Sequence, residues 1–366
     1  MELRPRADYE VLLQRTQGTL VDADCTPSAS GTVVRLLQQR GLQSASVAYH
    51  TLCAHRGGPI WAGGEDVGLP LGLLSQRYLR RPRIYMVTHG SYFGSARFRR
   101  LMRLLRYAGN VHYLCLSEAL RSALIAEFGV PEHRAHNTGY AADTDYFQPS
   151  AREPDSGCIA SAGAANRDFP TLVAASRGLP AQVTIACGSA WFPQAVEIGE
   201  NLPPNVTARP HAYPELRALY ARSAFVVVPL RPGKHACGYA VIADAMAAGR
   251  AVIVTRTAAA SDFVVEGETG LYVRDGDHED LRDKMRFLLT HPEEAQRMGR
   301  CARARMERHY SLDAYCRRMA QVMDLAEADQ VETCVEPEEH CGKAARLPSA
   351  VMSEGRLGPS RRQAPE

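Results

Sequence analysis

Short apolar runs rich in β-branched residues alternate with stretches of helical periodicity along most of the chain. Runs of this kind suit strands buried on both faces, and the amphipathic stretches between them suit helices laid over a parallel sheet. The alternation predicts an α/β fold. In the first half the pattern predicts strands at VLL (11–13), SVAYH (46–50), IYMVTH (84–89) and HYLCL (112–116), with helices near 30–40, 66–79, 95–107 and 117–128. In the second half it predicts strands at CIASAG (158–163), QVTIACG (182–188), FVVVP (225–229) and AVIVT (251–255), helices after most of them, and several charged helices over 277–328. YFQPSAREPDSG (146–157) has two prolines and mixed charge and reads as a linker between a domain at 1–150 and a second at 151–329. Beyond it, residues 330–366 carry too few large apolar side chains to offset their ordering entropy, so this tail is expected to be disordered.

Composition narrows the setting. The 366 residues suffice for two domains, each with its own core, and two domains imply a cleft. With 45% hydrophobic and 23% charged residues, and no apolar run near the roughly 18 residues a bilayer requires, the sequence reads as globular rather than membrane-spanning. The opening MELRPRADYE lacks the apolar core of a secretory signal, and the ten cysteines show neither CxxC pairs nor histidines at metal spacing. Reduced thiols and a cytoplasmic location are the expectation. A net charge of +3 argues against general nucleic-acid binding. Over 95–107, Phe98, Leu101, Met102 and Leu105 share one helical stripe and Arg99, Arg103 and Arg106 another. That pattern suits a helix packed on a sheet, or one in peripheral contact with the inner membrane face.

Several motifs occur in a set order. SEALRSALIAEFGVPEHRA is followed by ADTDYFQP, then RDFPTLVAA, PELRALYARSAFVVVP, DAMAAGRAVIVT and DFVVEGETGLYVRDGDHEDL, with MGRCARARMERHYS trailing. In order and spacing this series, over about 82–325, resembles the family 4 (group 1) glycosyltransferases. The resemblance implies the GT-B fold, two Rossmann-like doubly wound domains facing each other across a cleft, with the acceptor on the N-terminal side and a nucleotide sugar on the C-terminal side. It implies a retaining transfer from a nucleotide diphosphate sugar to a small hydroxylated or lipid-linked acceptor, with no cofactor and no metal. A non-catalytic nucleotide-sugar-binding module, or an epimerase or phosphorylase on the same fold, are the alternatives. The opening of the first domain departs from the family, since no strand with a Gly-rich loop and a following His is found there.

A departing nucleoside diphosphate needs concentrated positive charge and oriented N–H donors. Glycine-bearing loops at helix N-termini supply the donors, and Cys237, Gly238 and Tyr239 open a predicted helix of this kind. Lys234 and His235 precede it and either supply charge to the diphosphate or are a solvated pair. The family carries two glutamates flanking seven residues here. The second falls on Asp244, implied to bind the ribose diol; the first falls on Ala236, so the sugar-contacting carboxylate is missing. The two family cations after the first strand of this domain fall on Ala162 and Arg167, which leaves one cation, a guanidinium suited to bidentate phosphate contact. Gly163 and Gly188, closing two predicted strands, are assigned to the donor side. His89 ends a strand at the edge where open α/β sheets bind ligands, and it matches the family's cleft histidine beside the donor sugar. Glu65 and Asp66 are read either as acceptor ligands or as acids favoured at a helix N-terminus.

Overall fold

The computed structural model describes residues 3–23, 31–188, 197–198, 201–231, 237–258 and 260–325. The first half runs α1 (Asp8–Thr16), α2 (Gly31–Gln39), α3 (Gln43–Ala54), β1 (Ile60–Ala62), α4 (Glu65–Ser75), β2 (Ile84–Thr88), α5 (Ala96–Leu105), β3 (Val111–Cys115), α6 (Glu118–Phe128) and β4 (Ala135–Asn137). Its four strands pair in parallel in the order β1-β2-β3-β4.

Two of the strands expected in this half are helices. VLL lies in α1, whose first turn carries Asp8 and Glu10 and which buries Val11 and Leu12. SVAYH lies in α3, where Ser46 and Ala48 are fully buried and small enough for close packing on α4. Apolar runs this short fit either element, and burial of a single face settled them as helices. The apolar stripe of α5 is a core stripe, because Phe98, Met102 and Leu105 are all buried.

The second half runs β5 (Asp155–Gly163), α7 (Phe169–Ser176), β6 (Gln182–Cys187), β7 (Val206–Arg209), α8 (Tyr213–Arg222), β8 (Ser223–Val228), α9 (Tyr239–Ala247), β9 (Ala251–Thr255), β10 (Gly270–Val273), α10 (His278–Thr290), α11 (Pro292–Arg305) and α12 (Leu312–Met323). Its six parallel strands lie in the order β10-β9-β8-β5-β6-β7. From β5 the chain winds outward through β6 and β7, then returns to the other side of β5 for β8, β9 and β10. That is the doubly wound order, and its switch point falls between the carboxyl ends of β5 and β8, where such sheets open a crevice.

One hydrophobic core continues from β2 and β3 through β5, β8 and α9 to α12, whereas a second core stays within the second half. Helix α12 packs on α1, so the chain's later part covers its earlier part. Polar contacts reinforce the junction: Arg303 Nη1 donates to the carbonyls of Thr144, Phe147 and Ala247 at 2.6–2.9 Å. Arg6 meets the fully buried Asp143 carboxylate at 2.6 Å. The expected tail at 330–366 lies outside the described residues. Among the described residues no helix is long and apolar enough to cross a membrane.

Candidate functional site

The switch point is built around Arg167. Strand β5 ends at Gly163 with φ +102°, and a Cβ there would overlap the Arg167 guanidinium, so glycine is what lets that side chain lie across the strand end. Arg167 is 7% exposed, and its Nε and Nη1 donate to the carbonyls of Ala162 and Ala165 at 2.9 and 2.8 Å. Burial lowers its pKa to about 10, opposed by Cys237 and Tyr220, so it remains a cation at neutral pH. The loop that carries it is joined to the end of β8. Asn166, in the left-handed region at φ 56°, donates to Arg231 O at 2.8 Å and accepts from Arg231 N at 3.1 Å, and Asp168 N reaches Pro229 O at 3.1 Å. The Asp168 side chain caps α7 through Thr171 N rather than neutralising Arg167. A buried guanidinium held by carbonyls keeps its charge available to an anion.

Across the switch point, Gly238 caps α9 with φ +90°, where a Cβ would lie 3.2 Å from the Leu230 side chain. Cys237 is half-buried beside Arg167; burial pushes its thiol pKa up and the guanidinium opposes the shift. Tyr239 turns inward, its ring tilted against Phe263 with centroids 5.2 Å apart and its hydroxyl beside Ser117, the cap of α6. It therefore anchors the start of α9 to the first half. Lys234 and His235, and Ala236 with them, lie outside the described residues. Gly188 closes β6 on the same sheet edge, exposed, with φ +107°.

Asp244 is half-buried on α9. Burial, and then the Asp143 charge, raises its pKa well above the ordinary carboxylate range. Its surroundings are Tyr140, Tyr213 and Tyr220. Tyr220 is fully buried, feels both Asp244 and Arg167, and has an unbonded hydroxyl among the described residues. The structure thus places Arg167, Cys237 and Asp244 around one end of the second sheet.

In the first half His89 follows β2, half-buried, with Nε2 3.1 Å from Gly63 O. Glu65 Oε1 accepts the N–H groups of His89 and Gly90, both at 2.8 Å. Glu65 is 1% exposed; burial raises its pKa, opposed by His89 and these N–H groups. It acts as an internal clamp on the end of β2, and this structural role stands in place of an open acceptor ligand. Asp66 points outward, accepting from Ser44 Oγ at 3.3 Å. Asp8 is a residue the sequence reading missed. It opens α1 beside His89 and the buried Tyr315 of α12, with its pKa raised by burial. Its signal was an acid in the first turn of a helix, hidden by the strand expected at 11–13. Among the described residues no three His, Cys, Asp or Glu side chains are grouped as metal ligands.

Comparison with known proteins agrees with this architecture. Residues 165–291, which span Arg167 to α10, match the family model of group 1 glycosyl transferases. No curated protein sequence matches. Among solved structures the chain is similar to a sucrose-phosphate synthase from Thermosynechococcus elongatus, at 18% identity over 81% of each chain with a TM-score of 0.65. It is similar to a glycosyltransferase from Rickettsia africae, at 14% identity over 80% of this chain and 87% of that one, TM-score 0.63. It is also similar to Anabaena HepE in complex with UDP and glucose, at 14% identity over 81% and 84%, TM-score 0.62. The fold is that of the GT-B glycosyltransferases.

Proposed function

We propose that the protein is a glycosyltransferase that moves a sugar from a nucleotide diphosphate sugar to a hydroxylated small-molecule or lipid-linked acceptor, with retention of configuration and without a metal. The observation that supports this most is the buried Arg167 guanidinium at the switch point, facing the N-terminus of α9 inside the segment that matches group 1 glycosyl transferases. Anabaena HepE, a structural neighbour, binds UDP and UDP-glucose, which supports a nucleotide-sugar donor.

In this reading the bond between the sugar C1 and the diphosphate oxygen breaks as the acceptor oxygen bonds to C1 on the same face, and the acceptor proton leaves with the diphosphate. Arg167 and the first N–H groups of α9 stabilise the charge developing on the diphosphate. Asp244 takes the ribose and His89 faces the sugar from the acceptor side. Lys234 and His235 add charge near the diphosphate. Incubation with UDP-, GDP- and ADP-sugars, with and without EDTA and with a broad acceptor extract, is expected to release one nucleoside diphosphate regardless of chelation. The product should keep the donor's anomeric coupling by proton NMR. Nucleotide binding with no donor consumed would replace transfer by the binding-module reading.

A further inference from the structure

A cavity of about 410 Å³ opens at the junction of the two halves, and neither Arg167 nor Asp244 lines it. It lies between the end of β4, the turn at Ser261 and Asp262 after β9, and Arg305, His309, Tyr310 and Arg318. Its volume falls within the range of small-molecule sites, roughly 300 to 1,000 Å³. A π-helical turn, Met306–Tyr310, interrupts the passage from α11 to α12 and brings His309 and Tyr310 to its wall. Turns of this kind concentrate at functional positions.

The wall is cationic and its guanidinium groups are held in place by backbone. Arg318 donates from Nε to Thr138 O at 2.9 Å and from Nη1 to His309 O at 2.6 Å, while its Nη2 is buried with no hydrogen-bond partner among the described residues. Among the described residues no carboxylate is paired with Arg318. Arg305 donates to Phe263 O and Asp262 O, both at 3.0 Å. Among the described residues Asp262 is the one acid that lines the wall; the N–H of Glu118 donates to its carboxylate at 2.7 Å, and the Glu118 carboxylate lies behind it, accepting from Asn137 at 3.4 Å. Two guanidinium groups fixed by carbonyls, with a histidine and hydroxyls beside them, match the oxygens of a phosphate group.

We propose that this junction cavity is a second anion site, which takes a small phosphomonoester and is separate from the cleft at Arg167. Its walls come from both halves, so a bound ligand bears on their relative position. A chain of tilted ring contacts leads from it to the start of α9: Tyr310 against Phe263 with centroids 4.8 Å apart, then Phe263 against Tyr239, the first residue of α9, at 5.2 Å.

The test is calorimetric titration of the full chain with inorganic phosphate and with glycerol 3-phosphate. Saturable binding is expected, weakened at least tenfold by Arg318→Gln and by Ser261→Glu and unchanged by Arg167→Gln. Because Arg318 also ties Thr138 to His309, Ser261→Glu is the variant that decides: Ser261 is exposed, and its replacement leaves those hydrogen bonds alone. Its melting temperature should match the wild type. Wild-type affinity in Ser261→Glu overturns the proposal, as does a loss in Arg167→Gln as large as that in Ser261→Glu, or the absence of saturable binding.

Discussion

The two halves meet their tightest packing in different ways. In the second half a Cβ on Gly299 would run into the carbonyl of Gly249, and one on Gly270 into the carbonyl of Val252, so backbone lies directly on backbone. In the first half a Cβ on Gly68 would meet the Met86 side chain, and one on Gly72 the side chains of Leu105 and Val111 at 3.1 and 3.2 Å. Side chains can rotate aside where carbonyls cannot. The second half is therefore the stiffer frame, although each half holds a buried guanidinium on carbonyl oxygens, Arg134 on those of Ala108 and Arg106 in the first and Arg167 on those of Ala162 and Ala165 in the second. The first half is closed over by α12 from the chain's later part, and holds a buried carboxylate, Glu65, on N–H groups.

The largest effect expected from this contrast is on stability. Gly299→Ala should lose about 3 kcal/mol in denaturant unfolding, the upper end for overpacking, whereas Gly68→Ala should lose about 1 kcal/mol because the thioether of Met86 can move. Equal losses would break the comparison. Next comes turnover: His89→Ala should lower it by roughly 100-fold, the order for one electrostatic contact with a reacting group, and leave nucleotide affinity as it was. A matching loss of affinity would move His89 from the sugar to the nucleotide. The smallest effect concerns pH. Asp244 has a raised folded pKa, so the stability linked to it is complete below the unfolded value of about 3.9 and is lost as pH rises through the folded one. Asp244→Asn should then be more stable than the wild type at neutral and alkaline pH and equal to it in acid. Asp143 carries the opposite sign. Burial alone would raise its pKa, but the Arg6 hydrogen bonds and charge hold it below the usual range, and its contribution is present at neutral pH and lost on acidification. Parallel stability curves for Asp244→Asn and the wild type across pH 4 to 9 would show that Asp244 is not held neutral.

The same contrast governs what the sequence revealed. Strands β5, β6, β8 and β9 are covered on both faces by helices, so they read as continuous apolar runs and were found where expected. Strands β1, β4, β7 and β10 have only three or four residues each, too few for a pattern to register. VLL and SVAYH misled because a short apolar run on one helical face looks like a buried strand. Arg167 was singled out by the resemblance, as the residue at the place of a family lysine after the strand, and its burial under the strand end was not visible in sequence. What sequence could not give was direction: Glu65 and Asp66 are adjacent acids at one helix start, and only the N–H groups of His89 and Gly90 turn the first inward. Tyr239 likewise became an anchor through Phe263, which is 24 residues further along the chain.

If the Arg167 guanidinium receives the diphosphate of a nucleotide at the switch point, its removal should be felt by the diphosphate and not by the nucleoside. Calorimetry of the wild type and Arg167→Gln against a nucleoside diphosphate and against its nucleoside tests it directly. A charged hydrogen-bonded contact contributes about 1.5 to 3 kcal/mol, so the diphosphate should bind roughly 10- to 150-fold more weakly to the variant, while the nucleoside binds as before. Equal weakening of both ligands, or unchanged affinity for the diphosphate, would contradict the account.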